Sequence, residues 1–189
     1  MKPFTTLTST VVPVAIKDVD TDMIIPAQYL TSVSKGGYGQ HVFERLYQAD
    51  QDFSFHQPRY KGAEILVSES NFGCGSSREH AVWALQEAGI KVIIAMSFSD
   101  IFFNNAAKNG LLLVQLPAEI VRVWITQSQQ VDWILSVDLA MQTVSEQSGP
   151  SYHFDYDPFR RHCLLNGQDD LDYLHAHRAQ IDLHFQGRL

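Results

Sequence analysis

The run Glu69-Ser70-Asn71-Phe72-Gly73-Cys74-Gly75-Ser76-Ser77-Arg78-Glu79-His80-Ala81 joins a short apolar stretch to a helical pattern, and its reading decides the fold class. Upstream, Glu64-Ile65-Leu66-Val67 has the character of a buried strand. Downstream, Ala81, Val82, Leu85 and Ala88 recur on one side of a helix that Gly89 can stop. The run is therefore a turn leading from a strand into a helix. Gly73 and Gly75 permit tight backbone geometry or close approach of a ligand, and Ser76 followed by Glu79 has capping-box spacing. Such boxes stabilise helix starts in proteins of every kind. Here the first-turn amides also offer donors to an anion, and Arg78 adds a forked cation suited to a carboxylate. The turn is expected to take a carboxylate or a phosphate. It is not a dinucleotide fingerprint, because the third spaced glycine is missing, and no Lys-Ser or Lys-Thr marks a phosphate loop.

On either side of this turn the pattern is that of an α/β protein. Thr10-Val11-Val12-Pro13-Val14 reads as a first strand, followed by an aspartate-rich turn from Asp18 to Asp22 whose carboxylates either organise a site or cap and solvate the chain. Tyr29 and Leu30 lead into a Ser/Lys/Gly-rich loop ending at Gly39, and the segment from Asp50 to Arg59 reads as a variable excursion. Lys91 to Ala95 and Leu111 to Val114 read as strands flanking a helix from Ser99 to Lys108. A helix around Ala118 to Trp124, strand-like pieces at Asp132 to Ile134 and Val137 to Leu139, and a helix from Pro158 to Leu165 follow. Leu171, Leu174, Ile181 and Phe185 can line one last helix. No repeat or low-complexity linker calls for a second fold, so one domain spanning 1–189 with a C-terminal helical extension is expected.

Composition narrows the function classes. A chain of 189 residues, 45% hydrophobic and 19% charged with a formal charge of -7, can bury one substantial core and has the balance of an acidic soluble protein. Binding to nucleic acid or to a membrane finds no support in that charge, and no apolar stretch reaches transmembrane length. Without a signal-like segment at Met-Lys-Pro-Phe, cytoplasmic residence is expected. Cys74 and Cys163 are the only cysteines, which is too few for a disulfide framework or for holding a cubane iron-sulfur cluster. The histidines are dispersed, so no metal site is expected in this chain. Cys74 serves turn geometry unless it is exposed and ionised, in which case it could sense oxidants.

Four blocks stand out: Asp18-Val19-Asp20-Thr21-Asp22-Met23-Ile24-Ile25-Pro26, Asn71 to His80, Ser97-Phe98-Ser99-Asp100-Ile101-Phe102 with Asn109-Gly110-Leu111-Leu112, and Phe159-Arg160-Arg161-His162-Cys163-Leu164-Leu165-Asn166-Gly167. Through them the chain resembles the small subunit of 3-isopropylmalate dehydratase and, more distantly, the swivelling domain of aconitase. The blocks span nearly the whole chain. The middle block marks the aconitase-like superfamily, and the first and last together look like its bacterial leucine-pathway branch.

The resemblance implies a swivelling β/β/α domain and a hydro-lyase that interconverts 2-isopropylmalate and 3-isopropylmalate by dehydration and rehydration, active only with a large subunit. That partner would carry a 4Fe-4S cluster, and none would be bound by this chain. By the same resemblance Ser76 is the base, Arg78 holds a substrate carboxylate, and Thr21, Asp22, Ser77, Glu79 and His80 support the site. Leu30 would face the isopropyl group, unless it anchors its loop to the domain. Arg160 and Arg161 either help bind the partner or an anion, or form solvated salt links. The sequence is also compatible with a hydro-lyase subunit for another substituted malate, and with a non-catalytic module that binds an acidic partner through the Ser76 and Arg78 turn.

Overall fold

Strand β1 (Thr6–Val14) organises the molecule because its two halves serve two kinds of sheet. In the computed structural model, which describes residues 1–31 and 36–186, its second half runs parallel to β2 (Ile65–Ser68), from Val11 beside Ile65 to Val14 beside Ser68. Its first half runs antiparallel to β5 (Ile134–Asp138), from Thr6 beside Asp138 to Thr10 beside Ile134. Beyond β2 lie β3 (Val92–Ala95) and β4 (Leu112–Gln115), both parallel. Beyond β5 lie β6 (Thr143–Glu146) and β7 (Ser151–His153), both antiparallel. The strand order is β4-β3-β2-β1-β5-β6-β7.

Burial follows this division. Val11 to Val14, all of β2 and all of β3 are buried, as a parallel sheet covered on both faces requires. In β5 only Leu135 and Val137 are buried, and in β6 only Val144, so one face of the antiparallel half is left partly open. One face of the sheet packs Val12, Val14, Leu66, Ile93 and Leu113 against α1 (Thr21–Ile24), α3 (Glu79–Glu87) and α4 (Asp100–Asn109), with α2 (Glu44–Ala49) nearby. The opposite face packs Val11, Ile65, Val67, Ile94 and Val114 against α5 (Ala118–Gln130), whose Trp124 is fully buried, and against Leu164 of α6 (Pro158–Asn166). After α6 come α7 (Asp170–Ala176) and α8 (Arg178–Gln186).

The expected α/β class is the one observed, and several elements differ in extent. Helix α5 continues to Gln130, because Val121, Trp124, Ile125 and Ser128 keep one face buried past the predicted stop. The two strand-like pieces near Asp132 and Val137 are one strand, β5. The last helix is two, α7 and α8, divided at His177. Leu171 and Leu174 are exposed rather than lining a core, while the side chains of Ile181 and Phe185 lie outside the described residues. The excursion from Asp50 is pinned to the domain by buried Phe53 and Tyr60, and by a 2.9 Å contact between His56 Nε2 and the Val42 carbonyl.

Candidate active site

The quoted turn lies at the C-terminal end of β2 and is held from three sides. Asn71 adopts a left-handed backbone and donates from Nδ2 to Asp18 Oδ1 at 2.7 Å. The Gly73 amide donates to the Val19 carbonyl at 2.7 Å, and Ser99, which caps α4, donates its hydroxyl to the Gly73 carbonyl at 2.6 Å. Gly73 has φ +77, and an added Cβ would stand 2.2 Å from Cγ of Phe102, a side chain only 1% exposed. Left-handed strain and overpacking act together there, so Gly73→Ala is expected to cost about 2–4 kcal/mol of folding stability in chemical denaturation. A change below about 1 kcal/mol would show that Phe102 yields easily.

Helix α1 brings the first aspartate block to this turn. Asp20 caps it, with Oδ1 accepting from the amides of Asp22 at 2.8 Å and Met23 at 2.7 Å. Buried Thr21 donates its hydroxyl to the Ser76 carbonyl at 3.0 Å, and its amide donates to the Cys74 carbonyl at 2.9 Å. Asp22 Oδ1 accepts from Arg78 Nη1 at 2.8 Å and from the Ala27 amide at 3.0 Å. Its other oxygen accepts from Arg45 Nη1. Thr21, Asp22, Ser76 and Arg78 are thus assembled from two distant segments, and Ser77 lies exposed between the last two.

The capping box is not formed. Helix α3 starts at Glu79, with Arg78 at its N-cap in an extended conformation and no side-chain cap bond. Ser76 is exposed, two residues before that cap, and its hydroxyl makes no hydrogen bond among the described residues. The spacing misled because Arg78 is itself extended and α3 begins only at Glu79, while the Ser76 carbonyl accepts from the Thr21 hydroxyl. Among the described residues the backbone amides of 75–80 also donate to no protein acceptor. One short segment thus carries an unengaged hydroxyl, several amides without a protein acceptor and a guanidinium, a set of groups that suits an anion bringing its own acceptors.

The other candidates sit elsewhere. Glu79 Oε1 accepts from Asn109 Nδ2 at 2.7 Å, at the far end of α4. The His80 ring lies edge-on to Trp83 and Tyr38, at centroid distances of 4.8 and 5.5 Å. Leu30, in a 3₁₀ turn over Ala27–Thr31, is half-buried and packs against the core. Residues 32–35 of the loop before Gly39 lie outside the described residues. Arg160 pairs with Asp170, and Arg161 donates to Gln142, so both tie α6 to its neighbours. Burial first, then the negative charges of Asp20 and Asp18, push the Cys74 thiol up, away from the thiolate that oxidant sensing needs. Sequence reasoning missed Arg45, because a lone arginine on a short surface helix carries no motif.

The model of the aconitase C-terminal domain matches residues 1–119. A 3-isopropylmalate dehydratase small subunit from Francisella tularensis subsp. novicida is 54% identical over 177 residues, covering 94% of this chain and 93% of its own length. One from Aromatoleum aromaticum is 45% identical, covering 96% and 92%. The chain belongs to the 3-isopropylmalate dehydratase small-subunit family. A crystal structure of 3-isopropylmalate dehydratase from Methanocaldococcus jannaschii superposes with a TM-score of 0.71 at 27% identity, covering 95% of this chain and 99% of that one. Membership of the 3-isopropylmalate dehydratase small-subunit family makes the chain one subunit of a hydro-lyase of leucine biosynthesis and upholds the aconitase-like fold class read from the sequence. Among the described residues no group of three or more His, Cys, Asp or Glu is arranged to hold a metal, and no helix is long and apolar enough to cross a membrane.

Proposed function

We propose that this chain, residues 1–189 as one domain closed by its C-terminal helices, supplies the Ser76 and Arg78 side of an active site completed by the large subunit. The reaction is the interconversion of 2-isopropylmalate and 3-isopropylmalate. The observation that carries the reading is that the Ser76 hydroxyl and the amides of 75–80 have no hydrogen-bond partner among the described residues, in the same segment as an Arg78 steadied by Asp22.

Arg78 spends one N–H on Asp22, and its remaining donors are available to a substrate carboxylate. With the carboxylate fixed there, the substrate carbon bearing the proton can be brought to Ser76 Oγ. Deprotonated Ser76 takes that proton, the electron pair forms the carbon-carbon double bond, and the hydroxyl leaves from the neighbouring carbon. Returning the proton and hydroxyl to exchanged carbons completes the isomerisation. An ordinary serine is a weak base, so the site must favour its anion, which is the task of the free amides and Arg78. Orientation by the carboxylate contact adds the advantage of an intramolecular reaction. Thr21 holds the Ser76 backbone, Ser77 extends the polar rim, and Leu30 offers an apolar surface to the isopropyl group. Glu79 and His80 support the site indirectly, through α3 and its aromatic neighbours.

The two cysteines lie in the turn and in α6, and the described residues do not fit a 4Fe-4S cluster. We assign the cluster to the large subunit, where it would supply Lewis-acid assistance to the departing hydroxyl. The cytoplasm is the compartment in which we place the assembled enzyme. Purified alone, the chain is expected to show no isomerisation of 2-isopropylmalate, and to gain it on mixing with a cluster-loaded large subunit under anaerobic conditions. Turnover by partner-free, metal-free protein would overturn the division of labour.

A further inference from the structure

The proposed carboxylate site contains an electrostatic conflict. Asp22 steadies Arg78 through a 2.8 Å contact, yet it also places a negative charge beside the position where a substrate carboxylate must bind. Taken alone, the Arg78 and Asp22 pair is neutral, and a neutral pair attracts an anion weakly. The structure holds a second cation at this point. Arg45, on α2, donates Nη1 to the Asp22 oxygen that Arg78 leaves free. One carboxylate is thus shared between two guanidinium groups, and the three side chains together carry one net positive charge.

We propose that Arg45 is a positioning residue for substrate binding: by occupying and offsetting Asp22, it leaves the charge of Arg78 available to a substrate carboxylate. The proposal rests on the reading of Arg78 as the carboxylate holder. Burial fits the division of roles, since the side chains of Arg78 and Asp22 are 21% and 29% exposed, whereas that of Arg45 is 54% exposed. Arg45 acts from the rim, through Asp22, without entering the reacting centre. Its exposure also limits the effect, because water and salt screen a charge so placed. Asp22 stays oriented when Arg45 is absent, since the Ala27 amide and Arg78 still hold its other oxygen. Substrate affinity should therefore respond more than the chemical step.

The test uses the assembled, cluster-loaded two-subunit enzyme with Arg45→Gln, Arg45→Lys and Arg78→Ala variants. Arg45→Gln is expected to raise KM for 2-isopropylmalate by about 3- to 10-fold with kcat within about twofold, the scale of a screened charge. The Kd of isopropylsuccinate, an unreactive dicarboxylate, should rise in parallel by calorimetry. Arg45→Lys should restore most of the loss, and the difference from the parent should shrink as ionic strength is raised. A structural role would give a lowered thermal midpoint, no rescue by lysine and no dependence on salt, and that pattern would overturn the proposal. So would an unchanged KM in Arg45→Gln alongside a large loss in Arg78→Ala, which would leave the carboxylate-holding reading standing. If Arg78→Ala is itself without effect, that reading falls and the role of Arg45 falls with it.

Discussion

Ser76→Ala in the assembled two-subunit enzyme is expected to slow exchange of the substrate's carbon-bound proton with solvent by ~10²–10⁴-fold, the usual scale of a positioned general base. Stability should hardly change. The hydroxyl is exposed and makes no hydrogen bond among the described residues, so its removal leaves no buried group unsatisfied and no helix uncapped. Partner binding and the Kd of isopropylsuccinate should persist, because Arg78 and the Thr21 contact to the Ser76 carbonyl do not depend on the side chain. Exchange is the deciding measurement, since it reads proton removal separately from product release. Near-normal exchange in folded, cluster-loaded Ser76→Ala enzyme would remove Ser76 from the chemistry. Had the capping box been formed, the same substitution would have cost about 0.5–2 kcal/mol of stability, and the calorimetric midpoint tests that as well.

The parallel half of the sheet was legible because its strands are short, continuous apolar runs bounded by glycine and charged residues, as in Glu64 to Val67 and Lys91 to Ala95. Of the antiparallel half, β5 was read as two strand-like pieces, whereas β6 and β7 were not read. Thr143-Val144-Ser145-Glu146 buries one residue, and Ser151-Tyr152-His153 none completely, so their pairing comes from neighbouring strands rather than from local hydrophobicity. The same limit applied at the site. The turn from Asn71 to His80 announced itself through glycines, a serine and an arginine, and the resemblance connected it to Thr21 and Asp22. Local spacing then suggested the wrong helix start, because Ser-x-x-Glu cannot reveal that Arg78 is extended and that α3 begins only at Glu79. Arg45 was invisible for another reason: its role exists only once α1, α2 and α3 have met around one carboxylate.

Arg78→Ala is expected to lower kcat/KM for 2-isopropylmalate by roughly 30- to 4,000-fold, as about 2–5 kcal/mol is the cost of losing one member of a well-placed charge pair. The lower part of that range is favoured here, since the side chain retains 21% exposure and water can replace part of the lost contact. The scaffold should survive. Arg78 stands at the N-cap of α3, but its side chain makes no cap bond, so the helix loses nothing at that position. Asp22 keeps the Ala27 amide and Arg45, so it is not left as an unpaired charge, and the folding cost should stay below about 1 kcal/mol. Arg78→Lys separates charge from shape: it retains the cation and loses the fork, and an intermediate defect is expected if the carboxylate is gripped through two parallel N–H bonds. The measurements are kcat/KM and the Kd of isopropylsuccinate on assembled enzyme, with the thermal midpoint as control. Unchanged binding and kinetics in a folded Arg78→Ala enzyme would mean that the substrate carboxylate is held elsewhere, with the amides of 75–80, which have no protein acceptor among the described residues, as the next group to test.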